Sequence, residues 1–348
     1  SSINDLTTQQ KELVYYLSQA ALSGREITYA QNYKHNIQIK RTLEAIYTSY
    51  TGDKTTADWK NFEIYLKRVW FANGIHHHYA EKKFLPDFSQ EYFVELVKNS
   101  ADAKWPTIED ETPEQMIAKL TPAMFDPAVD AKKVVKDKGV DKVALSANNH
   151  YGEGVTETEA MAHYAAMGTT GEAKPVEYGL NSRLVKQDGQ LMDLTMRSGG
   201  LYGGAMDKMI YWLKKAEGVA ENEAQAKHIG MLAEYFTTGD LKQWDATNIN
   251  WVNSTDGDID FILGFIEVYG DAIGKKGAFE GVIQVNDKEA SKRMAVLSEN
   301  AQYFEDNSSI MEEHKKETVV GVSYRVIDAV MEAGDAAPAT PIGINLPN

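Results

Sequence analysis

Over the first third of this 348-residue chain the apolar side chains recur at helical spacing, which restricts the region to helices that pack by one face. Residues 8–22 put Leu13, Val14, Leu17, Ala20 and Ala21 on such a stripe, with Thr7 and Gln10 as a capping box and Gly24 as a stop. A second helix reads through Ile37, Ile39, Leu43, Ile46, Tyr47 and Tyr50 to Gly52. A third carries Trp59, Phe62, Leu66, Val69 and Trp70 and ends before Gly74. Ser89 and the run Thr112-Pro113-Glu114 start two more, and residues 158–167 give another.

The pattern changes at residues 180–195. Ser182-Arg183-Leu184-Val185-Lys186 and Leu191-Met192-Asp193-Leu194-Thr195 flank a turn containing Asp188-Gly189, a pair that tolerates the left-handed angles of a tight hairpin. Helical spacing returns at residues 206–216 and 223–236. Two β-rich runs come next, 261–269 and 279–285, joined by a loop bearing glycine and lysine. Residues 288–305 read as helix, and 319–330 are apolar and open between strand and helix. Residues 334–341 form a small-residue loop into a terminal strand. The expected fold is α+β, mainly helical, with a small central sheet or barrel holding residues 265–269, 279–285 and the terminal strand.

Composition narrows the function. Hydrophobic residues make up 43% and charged residues 25%, ordinary for a globular protein with a sizeable core. A net charge of −15 argues against nucleic acid or an anionic membrane as partner, because both require a basic surface. The same charge suits a cationic ligand. The sequence has no cysteine, so disulfides, a thiolate zinc site and a thiol nucleophile are all ruled out. No apolar run reaches the ~18 residues of a membrane span. The first residues, Ser1-Ser2-Ile3-Asn4-Asp5, carry no signal-peptide pattern, although a leader already removed would leave no mark.

The stretch Pro341-Ile342-Gly343-Ile344-Asn345-Leu346-Pro347-Asn348 is bounded by prolines, which fix φ, cannot donate to a ladder and extend the residues before them, Thr340 and Leu346. Such a segment belongs at a sheet edge, where a guest peptide can add itself by backbone hydrogen bonds. Gly343 would let the guest backbone approach, and the amide oxygens of Asn345 and Asn348 could accept from an ammonium. An ordinary Pro-bounded turn is the plainer alternative. Glu267 and Tyr269, two apart, would share one face of a strand and line one cleft, or else form a polar solvent face.

His76-His77-His78 with Glu81 close behind invites a metal reading, since His77 and Glu81 would share a helix face at i,i+4. The run comes after Asn73-Gly74, a helix end, and aligns only two ligands where a catalytic zinc needs about three, so no metal site is expected here. The glycine-rich segments 148–154 and 198–204 fit neither the P-loop nor the dinucleotide spacing, and read as loops where chain segments meet.

Three motifs in order, Gly264-Phe265-Ile266-Glu267-Val268-Tyr269, Phe279-Glu280-Gly281 and Ile342-Gly343-Ile344-Asn345-Leu346-Pro347-Asn348, resemble the dipeptidyl peptidase III family of zinc exopeptidases. Asn73-Gly74-Ile75-His76-His77-His78-Tyr79 and Gly179-Leu180-Asn181-Ser182-Arg183-Leu184-Val185 look most like its bacterial members. The resemblance runs over essentially the whole chain. It implies that Glu267, Asn345 and Asn348 hold the α-ammonium of a peptide, that Tyr269 contacts the scissile region, and that Ile342 and Gly343 lie on the substrate-binding edge. The family's zinc helix bears His-Glu-x-x-Gly-His and a later helix supplies a further Glu; this sequence has no His-Glu dipeptide.

The chain is therefore expected to be the amino-terminal, substrate-recognition half of a zinc dipeptidyl peptidase, with no catalytic or metal-ligating residue of its own and the zinc-bearing half following Asn348. Its partners would be short peptides with a free amino terminus and that missing lobe. The resemblance divides it into a helical and β-core lobe over 1–286, a helical excursion into the zinc lobe over 287–318, and a return to the β-core over 319–348. It implies a cytoplasmic setting, with an exported form as alternative. The competing class is a non-catalytic peptide-binding protein.

Overall fold

The computed structural model describes residues 2–168, 176–320, 325–341 and 343. Its helices are α1 (Thr8–Asn32), α2 (Asn36–Ser49), α3 (Ala57–Phe71), α4 (Gln90–Lys98), α5 (Pro113–Phe125), α6 (Lys142–Leu145), α7 (Glu157–Met167), α8 (Gly203–Glu217), α9 (Glu223–Thr238), α10 (Leu241–Asn253), α11 (Lys288–Glu299) and α12 (Ala301–Asp306). Its strands are β1 (Ser182–Gln187), β2 (Gln190–Thr195), β3 (Ile259–Phe265), β4 (Phe279–Asn286) and β5 (Ile327–Gly334). The chain is thus mainly helical with small antiparallel sheets.

The helix starts have the expected caps. Thr7 accepts from the Gln10 amide in a capping box, and Thr112 does the same for Gln115 ahead of Pro113. Gly24 does not stop α1; the helix runs past it to Asn32. A Cβ at Gly24 would lie 2.2 Å from the Phe279 ring, so this glycine sits mid-helix because β4 packs against it there. The hairpin turns where expected, with Asp188 at φ 50° and Gly189 at φ 79° between the paired Gln187 and Gln190.

Among the described residues the main sheet has three strands in the order β3-β4-β5, antiparallel throughout and open, and β1-β2 stands as a separate hairpin. The barrel alternative is therefore corrected. Closure needs enough strands to curl round onto themselves, whereas here α1 packs onto the sheet and shares with it the core of Leu17, Ala21, Phe265, Phe279 and Ile283. β4 is central and buried nearly throughout, with Glu280 and Gln284 buried along with its apolar residues. A second core joins α2 to α5 around Tyr33, Phe62, Tyr65 and Phe93, and a third lies behind the hairpin around Leu184, Tyr151 and Tyr164.

Three further expectations change. Residues 241–253 form α10, a helix not expected from the sequence although Asp240 caps it and Leu241, Trp244, Asn248 and Trp251 lie at helical spacing. The helix expected over 288–305 divides at Asn300 into α11 and α12. The ambiguous run 319–330 resolves in part, with β5 beginning at Ile327. The terminal strand lies outside the described residues apart from Pro341 and Gly343.

Candidate functional site

β3 ends at Phe265, so Glu267 and Tyr269 stand just beyond the strand rather than within it as expected. Pairing persists for one irregular step: the Ile266 amide donates to the Ala278 carbonyl (3.0 Å) and the Ala278 amide to the Glu267 carbonyl (2.8 Å). The chain then turns, Asp271 donating its amide to the Val268 carbonyl at 3.1 Å, and Tyr269 is left 68% exposed. The two side chains nonetheless meet. The Glu267 carboxylate beside the Tyr269 phenol, and hydrogen bonding between them, raise the phenol above its ordinary value.

Glu267 faces a cleft of about 540 Å³. Trp244 and Ile266 give it apolar walls, while Glu177, Asp245 and Glu267 line it with carboxylates. Burial and then the charges of Glu177 and Asp240 raise the Asp245 carboxyl. Lys275 also lines the cleft and is paired with Glu177 at 3.2 Å. A larger hollow of about 780 Å³ lies between α1, α2 and the start of α8, and none of the predicted site residues lines it.

Glu280, a neighbour of Glu267, and Asp335, a neighbour of Glu280, were given no role from the sequence. Glu280 is buried on central β4, opposite Gly264 on one side and Gly334 on the other. Burial, then Asp335 and Glu267, push its carboxyl up to about 8. Asp335, just after β5, is raised by burial against the opposing pull of Lys133 and His78. An acidic residue inside a β-rich run was the available signal for Glu280; for Asp335 there was none, because its place depends on the β4-β5 register.

Of the other predicted residues, Gly343 is exposed with open space where a Cβ would stand. Ile342, Asn345 and Asn348 lie outside the described residues.

The triple histidine run is not helical. His76 bridges to Lys83, and Glu81 takes a left-handed φ of 63°. The His76 Nε2 lies 2.7 Å from the Asp130 carbonyl and burial lowers its pKa to about 4. The His77 Nδ1 accepts from the amides of Tyr79 (3.1 Å) and Ala80 (3.0 Å), and its ring stacks on His78. Glu81 pairs with Lys133 at 3.4 Å. Among the described residues no group of three His, Cys, Asp or Glu side chains is arranged to hold a metal. His76 and His77 are each bonded to backbone and His78 only stacks on His77, so the run does not turn three ligands toward one zinc ion. The glycine-rich segment 148–154 joins chain segments as expected: Asn148 Nδ2 donates to the Gly270 carbonyl (2.7 Å), and the Gly152 amide to the Leu184 carbonyl (2.7 Å).

The arrangement defines a helical lobe with a small buried sheet and, at the end of β3, an apolar cleft ringed by carboxylates. Peptidase family M49 matches residues 155–348, more than half the chain, and the chain belongs to that family. Dipeptidyl peptidase 3 of Rattus norvegicus is 22% identical over 374 residues, covering 99% of this chain and 50% of that protein; the Homo sapiens protein is 22% identical over 376 residues with the same coverage. The solved structure of DPP III from Caldithrix abyssi matches the fold with a TM-score of 0.67 at 20% identity, over 99% of this chain and 52% of that one. That from Corallococcus sp. strain EGB matches with a TM-score of 0.66 at 19% identity, over 99% and 52%. The chain thus spans about half the length of the relatives it matches.

Proposed function

We propose that this chain is the substrate-recognition half of a zinc-dependent dipeptidyl peptidase, and that its cleft binds the free amino terminus of a short peptide. The observation that carries the reading is a cleft with apolar walls that Glu177, Asp245 and Glu267 line with carboxylates, of which only Glu177 is paired with the cleft's Lys275 among the ion pairs seen. Burial first, then neighbouring carboxylates, raise Asp245 in the cleft wall and Glu280 behind Glu267, and a bound cation would favour the charged form of each. An α-ammonium is such a cation. In this reading Glu267 takes one of its donors, Asn345 and Asn348 take the other two, and the apolar walls of Trp244 and Ile266 receive the first side chains. Ile342 and Gly343 form the edge along which the peptide backbone lies, and Tyr269 reaches toward the scissile bond. Fixing the ammonium sets the distance to the bond that is cut, which is why dipeptides leave. The metal would come from the remainder of a complete protein, facing the excursion formed by residues 287–318, with 1–286 and 319–348 as the recognition lobe. A cytoplasmic setting agrees with this role, and no described helix is long and apolar enough to cross a membrane.

The test uses the complete protein with free and amino-terminally acetylated peptides. Glu267→Gln should cost about 2–5 kcal/mol in kcat/KM for free peptides, the usual penalty for removing one partner of a buried charge pair. Acetylated peptides should be poor substrates already and indifferent to the change. Equal cleavage of free and acetylated peptides overturns the assignment; binding without cleavage favours the non-catalytic alternative.

A further inference from the structure

The segment that carries Glu267 is held from behind by a lysine with no surface of its own. Lys276 is fully buried, and its ammonium reaches three elements at once. It donates to Ser182 Oγ on β1 (2.9 Å), to Asp193 Oδ1 on β2 (3.3 Å) and to the Tyr164 hydroxyl on α7. Asp193 is itself gripped by Ser182 Oγ, by the Tyr164 hydroxyl (2.6 Å) and by His163, whose Nε2 lies 2.7 Å away. The Tyr164 ring lies 4.6 Å and the Tyr151 ring 5.6 Å from the ammonium. On the backbone side, Asp271 Oδ2 accepts from the amides of Lys275 (2.6 Å) and Lys276 (3.0 Å) and from the Tyr151 hydroxyl (2.9 Å), which closes the 271–276 turn.

The two residues after Lys276 link this anchor to the cleft. The Gly277 amide donates to the Leu180 carbonyl at 2.8 Å, and its carbonyl accepts from Gln31 Nε2 at 2.9 Å. The next amide, that of Ala278, is the one bonded to the Glu267 carbonyl. The site residue and the buried ammonium are therefore connected through two residues of hydrogen-bonded backbone, and Gly274 and Lys275, just before Lys276, line the same cleft. A buried ammonium is costly unless its donors are all used, and here they fix one wall of the cleft to the hairpin and α7.

We propose that Lys276, through its pair with Asp193, is a positioning residue that sets the Glu267 carboxylate for the substrate ammonium. The inference rests on the peptide-binding reading of the cleft and identifies what holds that site in register.

The experiment uses the complete enzyme with Lys276→Met, Asp193→Asn and the double variant, measuring thermal midpoint, kcat, KM and the ratio of kcat/KM between free and acetylated peptides. Lys276→Met should raise KM for free peptides about tenfold with a smaller change in kcat, and lower the free-to-acetylated ratio by a similar factor. The double variant, which removes the ammonium together with the carboxylate it pairs with and leaves Asp271 to its amide and Tyr151 donors, should recover most of the lost thermal midpoint but not the KM. A merely structural role would restore both together. A folded Lys276→Met with native KM and native ratio overturns the proposal. Should that variant not fold, Asp193→Asn decides: a raised KM and reduced ratio support the proposal, and native values overturn it. If the native enzyme itself fails to discriminate free from acetylated peptides, it is the cleft assignment that fails.

Discussion

Glu280 shows most clearly how burial and neighbours set a residue's chemistry. Its carboxyl is shielded from water and faces Asp335 and Glu267, so its folded pKa stands near 8 against the ordinary 4.5. For an acid raised in the folded state, the native form holds more protons than the unfolded one between those two values, and stability falls as pH rises through the window. Glu280→Gln removes that loss. The variant should gain stability over the parent at pH 8, about 4 kcal/mol at most, and little at pH 4.5, as read by urea denaturation at both values. Gly24 makes the opposite case, of a residue whose smallness is dictated by its neighbour. Gly24→Ala improves helix propensity by about 1 kcal/mol but drives a methyl into the Phe279 ring, and overpacking of about 1–3 kcal/mol should prevail, giving a net lower denaturation midpoint.

At the scale of elements, the hairpin and the α11-α12 pair behave differently. The β1-β2 turn holds Gly189 at φ 79°, so Gly189→Ala should cost about 1 kcal/mol without moving the register, which is set by the flanking pairs. α11 and α12 bury none of their residues; Val296 is 55%, Phe304 52% and Tyr303 62% exposed. Exposed apolar side chains of this kind would suit packing against the other lobe that the proposal assigns to a complete protein. Phe304→Ser should leave the stability of this chain within about 0.5 kcal/mol. In a complete protein, where the face is expected to meet the other lobe, the same change should lower the unfolding midpoint; calorimetry of both forms checks the contrast.

For the molecule as a whole, acid sensitivity is written into three buried imidazoles. His76, His150 and His228 are each lowered to about 4, burial being the largest cause in every case. The unfolded chain binds more protons than the native one between about 4 and the ordinary 6.5, so stability should fall as pH drops through that window. Denaturant titrations from pH 7 to 4 should show it, and His228→Phe, a near-isosteric apolar change beside Phe261, should flatten the slope. Metal content is a second whole-molecule property. Purified material should contain far less than one zinc per chain by elemental analysis, and a stoichiometric zinc lost on His77→Ala would disprove the reading of the triple histidine run.

The sequence by itself determined the elements whose signals are local. Capping at Thr7 and Thr112, the apolar stripes of α2 and α3 and the Asp188-Gly189 turn all act within a few residues, where side chain and backbone decide the outcome together. It also supplied the three motifs that carry the family resemblance. Tertiary structure decided what depends on distant neighbours. Gly24 continues a helix because Phe279 lies across it, and Glu267 leaves the strand because the 271–276 turn is tied to Asp271 and Lys276. Lys276 looks in sequence like one more loop lysine. Only the meeting of β1, β2 and α7 around it supplies the hydroxyls and the carboxylate that make its burial tolerable. Those partners stand 83 to 112 residues away in the chain, beyond the reach of any local pattern.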